Sequence, residues 1–249
     1  MGGNDLSYPG GKLRLHVDAD LGSGARIVPD EGQTHYLLHV MRAKAGDRLN
    51  LFNGRDGEWL ARIAEVSKRA CALECERRTA PQTNVPDLWL CFAPIKKTPA
   101  DYVVQKATEL GVRVLQPVFT RRTIVGRVNL DRMRANAIEA AEQSGRVSVP
   151  QTREPLALDK LVGAWPAERM MIFCDEGGAP PMAEALRTLP LGPAAILAGP
   201  EGGFDPAERE MLRAQAFVVP VSLGPRILRA DTAGLAALAI WQAVLGDWR

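Results

Sequence analysis

The segment ILAGPEGGFDPAERE, residues 196–210, carries the residue types that a ligand-binding turn requires. Ile196-Leu197-Ala198 is a short apolar run and reads as the end of a buried strand. Gly199, Gly202 and Gly203 then allow positive φ and a close approach of backbone to a bound molecule. Asp205 stands where a helix N-cap belongs, with Pro206 at the first helical position and Glu208 three residues after the cap. That is a capping-box pattern, so a helix starts here. Strand, glycine turn and capped helix make a ligand-binding corner of an α/β sheet, or, more plainly, a tight turn with no ligand. Glu201 at the centre of the turn argues against a phosphate cradle, because an anion site avoids a carboxylate. A neutral or cationic ligand fits better.

A second turn of the same kind follows in SLGPRILRADTAGLAALAIWQAVL, residues 222–245. Val218 to Leu223 reads as a strand and Gly224-Pro225 as a turn, with Asp231 or Thr232 capping a long apolar helix. Other chemistries find less support. His35 and His39 lie at helical i, i+4 spacing, but no HExxH carboxylate and no third ligand accompany them, so no metal site is expected. Cys71, Cys75, Cys91 and Cys174 show no CxxC spacing and sit in apolar runs, as reduced core residues of a cytoplasmic protein would. Neither GxGxxG after a strand nor GxxxxGK[ST] occurs, which removes dinucleotide and nucleoside-triphosphate binding. No run of 18 apolar residues suggests a membrane span.

The elements that must position these turns fall into two kinds. At 249 residues, with 46% hydrophobic and 24% charged, the chain can bury a sizeable core in one or two domains. From Lys12 to Arg78 the pattern is short and strand-like: KLRLHV, then a hairpin in RLNLFNGRDGEWLARI around Asn53-Gly54 to Gly57, then ACALECE. Only EGQTHYLLHVMR, 31–42, looks helical, and the whole reads as a small β-barrel-like module. TAPQTNVPD, 79–87, reads as a linker, so the domains are expected at 1–80 and 86–249. Beyond it βα units repeat: strand DLWLCFA, a helix capped by Thr98 and stopped by Gly111, strand RVLQPVF, helix NLDRMRANAIEAAEQS, strand MMIFCDE and a helix near 181–188. Such repetition predicts a mostly parallel sheet with helices on both faces, and physics alone favours an unknotted one. The net charge of +2 conceals a basic middle, +4 over 86–130, which suits a polyanion-facing side or a solvated face.

GPEGGF followed by LGPRILRADTA resembles the RsmE family, the 16S rRNA uracil-N3 methyltransferases of the SPOUT superfamily. KATELGV at 106–112 with Pro117 behind it, and EAAEQSGR at 139–146 with Pro150 behind it, match in the same order. The resemblance runs from about Leu13 to Leu245. It implies a PUA-like RNA-binding amino-terminal domain and a SPOUT methyltransferase domain whose chain forms a trefoil knot. It also implies S-adenosylmethionine as cofactor, 16S rRNA or the 30S subunit as partner, uridine 1498 as target and a homodimer. Arg121 and Asp231 depart from residues common in the family; the second is a conservative helix-cap exchange.

Carried over residue by residue, the cofactor positions are Leu197, Gly199, Glu201, Gly202, Leu223, Gly224, Ile227, Leu228 and Thr232. For Leu197, Leu223 and Leu228 core packing is the plainer role. Methylating N3 of uracil needs a proton acceptor and positive charge near the oxygens where the anion delocalises. Arginine stays charged and suits the second task. Arg146 and Arg229 are the candidates with Arg122 a third, and each could equally hold an RNA phosphate. Glu201 could take the proton, orient the cofactor amine or satisfy loop N–H groups. Arg14, Arg42, Arg121 and Arg122 are the expected RNA contacts, against simple surface solvation. Two alternatives stay open: a SPOUT enzyme acting on another rRNA or tRNA nucleotide, and a non-catalytic RNA-binding assembly factor.

Overall fold

The computed structural model describes residues 13–67, 70–175 and 177–249, with Lys97 and Thr98 described by their backbone alone. The described residues fall into two compact units: those up to 84 with 141–149, and those of 85–140 with 150–249.

The first unit contains β1 (Arg14–His16), β2 (Arg26–Ile27), α1 (Glu31–His35), β3 (Arg48–Phe52), β4 (Glu58–Val66) and β5 (Cys71–Ala80). Its sheet runs β1-β3-β4-β5-β2, antiparallel except for the parallel β1–β3 pair. The expected hairpin is β3–β4, with Gly54 and Gly57 both at positive φ in its turn. Helix α1 is capped by Asp30 in a capping box and widens into a π-helical turn over Tyr36–Val40. Its core gathers Leu15, Leu37, Leu49, Leu51, Ile63 and Leu73.

Arg14 was expected to face RNA, and here the structure corrects the sequence. Its guanidinium is buried, pairs with Glu58 at 2.6 Å and donates to the carbonyls of Ala141, Glu142 and Arg146. A charge taken this far out of water must be matched at several donors at once, and these carbonyls supply the match. The Glu142 carboxylate accepts from the backbone N–H of His16, so the 141–149 segment is held to β1 by both chain and side chain.

The second unit follows the expected βα order. Its elements are β6 (Leu88–Phe92), α2 (Lys97–Glu109), β7 (Val114–Phe119), α3 (Leu130–Ser144, its last turn in the first unit), β8 (Gln151–Thr152), β9 (Leu156–Ala157) and α4 (Leu158–Gly163). They continue with β10 (Met170–Cys174), α5 (Met182–Arg187), β11 (Ala194–Ala198), α6 (Pro206–Arg213), β12 (Val218–Val221) and α7 (Ala230–Val244). The sheet order is β12-β10-β11-β6-β7-β8, every pair is parallel, and β9 also pairs with β7. β6 and β11 are buried at every residue, as strands covered on both faces must be. Pairing of β7 passes from β8 to β9 near Pro117, where the buried Gln116 amide donates to the carbonyls of Pro117 and Glu154.

Two helix starts differ from the sequence reading, and three short elements add to it. Helix α2 begins at Lys97 with Lys96 at the cap position, two residues ahead of the expected Thr98 cap. Helix α7 begins at Ala230 with Arg229 at its cap, ahead of Asp231 and Thr232, and no side chain caps it. The short β8, β9 and α4 were not anticipated. Gly111 does end α2, at φ 82°.

Helix α7 packs on α2, α5 and the strands β6, β10 and β11. Its wholly buried Gln242 donates from the side-chain amide to the Leu110 carbonyl at the end of α2, at 2.6 Å, and its amide oxygen accepts from the Asp247 N–H. Gly111 and Gly246 both leave space for this amide, since a β-carbon on either would strike it. Gln242→Leu should therefore cost about 1–3 kcal/mol in chemical denaturation, the range for an orphaned buried hydrogen-bonding group. An unchanged denaturation midpoint would remove Gln242 from this role.

Candidate functional site

The carboxyl ends of β10, β11 and β12 open onto a cavity of about 330 Å³, within the range of small-molecule sites. One wall is the turn after β11, Gly199 to Phe204; another is the segment Val221 to Leu228 after β12. Cys174 and Asp175 from the end of β10, Arg209 from α6, and Ala230 and Ala233 from α7 complete it. The two glycine turns, 21 positions apart in sequence at Gly203 and Gly224, thus line one space because β10 lies between β11 and β12 in the sheet.

The first turn is fixed by its helix. Asp205 caps α6 by accepting from the Ala207 N–H, while Glu208 accepts from the Asp205 N–H at 3.0 Å. The other Glu208 carboxylate oxygen accepts from the Arg121 N–H at 2.7 Å, so one buried acid joins the capping box to the loop after β7. Arg121 adds an ion pair to Asp205, and Arg122 donates to the Gly202 carbonyl at 3.0 Å.

The glycines have different reasons to be glycine. Gly203 at φ 67° and Gly224 at φ 109° hold left-handed backbone. Gly202 does not, contrary to the expectation, and a β-carbon there would make ordinary contact with Arg122 at 3.6 Å. Gly199 is set by packing: a β-carbon would lie 2.6 Å from the ring of Phe204. That ring is buried and stands edge-on to Phe173, centroids 5.0 Å apart.

Of the residues expected to hold the cofactor, the cavity is lined by Gly199, Glu201, Gly202, Leu223, Gly224, Ile227 and Leu228. Leu197 points into the core of the sheet with no exposure, and Thr232 sits on the exposed first turn of α7, where it donates to Asp231. Glu201 is exposed at the cavity, and Arg229 is exposed at the α7 cap. Arg146 lies in the first unit, its guanidinium 3.3 Å from the Ser148 hydroxyl and its carbonyl bound by Arg14. Arg42, also in the first unit, is exposed with φ 54°, the one described residue other than glycine in the left-handed region.

Sequence reasoning missed Asp175, Arg209, Arg226, Cys174 and Phe204 as cavity residues. Phe204 and Arg226 carry a local signal, since each directly follows the turn residues of its segment. Burial pushes the Cys174 thiol up to about 12, so it presents a neutral wall. Among the described residues no cluster of three or more His, Cys, Asp or Glu could hold a metal ion, and the His35 and His39 rings lie tilted by 37° with centroids 5.0 Å apart. Among them also, no helix is long and apolar enough to cross a membrane.

Two substitutions separate the roles of the turn glycines. Gly199→Ala should destabilise by about 1–3 kcal/mol, because the Phe204 ring must move within a packed core. Gly202→Ala should stay within about 0.5 kcal/mol of the native protein. Thermal denaturation of the pair decides it, and equal losses would contradict the packing argument.

The model for an RNA methyltransferase domain matches residues 81–242, and that for an RNA methyltransferase PUA domain matches residues 29–75. The chain is 30% identical to the ribosomal RNA small subunit methyltransferase E of Rickettsia conorii, over 91% of this chain and 93% of that protein. It is 32% identical to the protein of the same name from Synechocystis, over 89% of this chain and 74% of that protein. The crystal structure of ribosomal RNA small subunit methyltransferase E from Neisseria gonorrhoeae bound to S-adenosyl methionine superposes with a TM-score of 0.88. That match is at 28% identity and covers 95% of this chain and 99% of that one. With a parallel sheet carrying two glycine turns, a PUA-type unit and these matches along nearly its whole length, the chain belongs to the ribosomal RNA small subunit methyltransferase E family, RsmE.

Proposed function

We propose that this protein is an S-adenosylmethionine-dependent methyltransferase that modifies N3 of a specific uridine of 16S rRNA, position 1498 in the family's numbering, in the 30S subunit. The observation that carries the reading is the cavity at the carboxyl ends of β10, β11 and β12, walled by two glycine turns. Its residues fit the cofactor. Backbone N–H and C=O groups of 199–203 and 223–228 can meet a nucleobase edge, and Leu223, Ile227 and Leu228 give apolar area to its faces. Bound there, the cofactor would supply an electrophilic methyl group on a sulfonium. We read the turns after β11 and β12 as the loops of the trefoil knot.

The chain's own residues divide the remaining work. N3 of uracil bears a proton and is a poor nucleophile until that proton leaves, and the resulting negative charge spreads to the two ring oxygens. Arg229 and Arg146 are the groups that would oppose that charge, and Glu201 is the candidate proton acceptor or holder of the cofactor amine. Arg121 and Arg122, fastened to the turn through Glu208, Asp205 and Gly202, and the exposed Arg42 are the candidate RNA contacts. The site of action would be the cytoplasm, where ribosomal subunits mature. A homodimer is part of the reading: Leu235, Ile240 and Val244 on α7 remain only half-buried in one chain, and a second copy would cover them.

Purified protein incubated with labelled cofactor and unmethylated 30S subunits should place one methyl group on uridine N3 of 16S rRNA, read by mass mapping. Label on another nucleotide, or none, would overturn the reading. In single-turnover reactions at saturating RNA and cofactor, Arg229→Ala and Arg146→Ala should each slow the chemical step by about 10²–10³-fold. Wild-type rates for both would leave neither with a catalytic role. Sedimentation should show a dimer at micromolar concentration; a monomer of 27.0 kDa would refute that part.

A further inference from the structure

Asp175 directly follows β10, and its buried carboxylate receives two arginines from α6. Arg209 pairs with one oxygen at 2.5 Å and Arg213 with the other at 2.6 Å. Arg213 also donates to the Gly177 carbonyl at 2.8 Å. Gly177 leaves the room that Arg209 occupies, since a β-carbon there would coincide with its guanidinium. Two positive charges thus meet one negative charge, and the cluster keeps a net charge of +1.

Only one of the two arginines reaches the cavity. Arg209 lines it and Arg213 does not. The Arg209 guanidinium spends one nitrogen on Asp175, and a guanidinium has five N–H donors arranged as a fork suited to a carboxylate. Held by a buried acid, it has already lost the side-chain freedom that an exposed arginine would lose on binding. Arg226 also lines the cavity, but it stands exposed on the turn with no such brace. Glu201 lines the same space with the opposite charge. A cavity carrying both a braced cation and a carboxylate matches a zwitterion, and the amino-acid end of S-adenosylmethionine is one.

We infer that Arg209, braced by Asp175, binds the carboxylate of the cofactor's amino-acid end. This rests on the assignment of the cavity to S-adenosylmethionine. Asp175 is a positioning residue in this scheme, and Arg213 keeps the buried acid neutralised whether or not Arg209 is engaged.

The probes are S-adenosylmethionine and its decarboxylated analogue, which lacks only the carboxylate, titrated calorimetrically into the full chain. The native protein should bind the first about 10- to 100-fold tighter, as a charge-assisted pair in a partly closed site requires. Arg209→Met should lose most of that preference by weakening S-adenosylmethionine binding and leaving the analogue nearly unchanged. Arg213→Met and Arg226→Met should retain the preference, although Arg213→Met breaks an equal share of the Asp175 pairing. The inference is overturned if Arg209→Met weakens both ligands alike, or if the preference disappears in Arg226→Met instead. Native protein that binds the two ligands equally overturns it while leaving the cofactor assignment standing. Native protein that binds neither overturns both.

Discussion

The cavity depends on one buried carboxylate that touches no part of it. Glu208 accepts from Asp205 with one oxygen and from Arg121 with the other, so the start of α6 and the loop after β7 cannot move independently. A buried acid left with one partner would be costly, which makes the arrangement all-or-none. The glycine turn sits between these anchors and gains its shape from them. Gly203 can hold left-handed backbone without strain, and Gly199 lets Phe204 close the core beneath the turn. The turn is therefore rigid despite three glycines in five residues, and a preformed turn suits a site that offers backbone groups to a ligand.

Much of this corner was legible because its signals are local. Apolar runs bounded by turns gave β6, β7, β10 and β11, and the Asp205-Pro206-Glu208 spacing gave α6 with its capping box. What the sequence could not separate was which glycine needs left-handed backbone. Three glycines in GPEGG satisfy the same pattern, and the choice falls on Gly203 through the geometry that joins strand to helix. Gly199 looks like its neighbours in sequence, and its reason lies in an aromatic ring five positions on.

Long-range pairings were the least legible. Arg14 in KLRLHV reads as a surface arginine, and only the arrival of Glu58 and three carbonyls from 141–146 turns it into a core residue. The same holds for Asp175 and Arg209, separated by 34 positions and joined only when β10 and α6 meet at the cavity. Short β8, β9 and α4 escaped notice because two-residue strands and a six-residue helix show no measurable periodicity. The family resemblance supplied cofactor positions that periodicity could not, but the motifs that carry it include neither Asp175 nor Arg209.

The way α7 covers the parallel sheet bears on how the chain folds during its synthesis. β6, β10 and β11 emerge from the ribosome before the helix that lies across them, and α2 emerges long before Gln242 can complete its end. Until α7 follows, the nascent sheet must expose an apolar face, a condition that invites chaperone capture or pairing with another chain. A slow or paused translation across residues 222–245 would lengthen that exposure. The arrival of one late helix thus decides how long that apolar face stays uncovered.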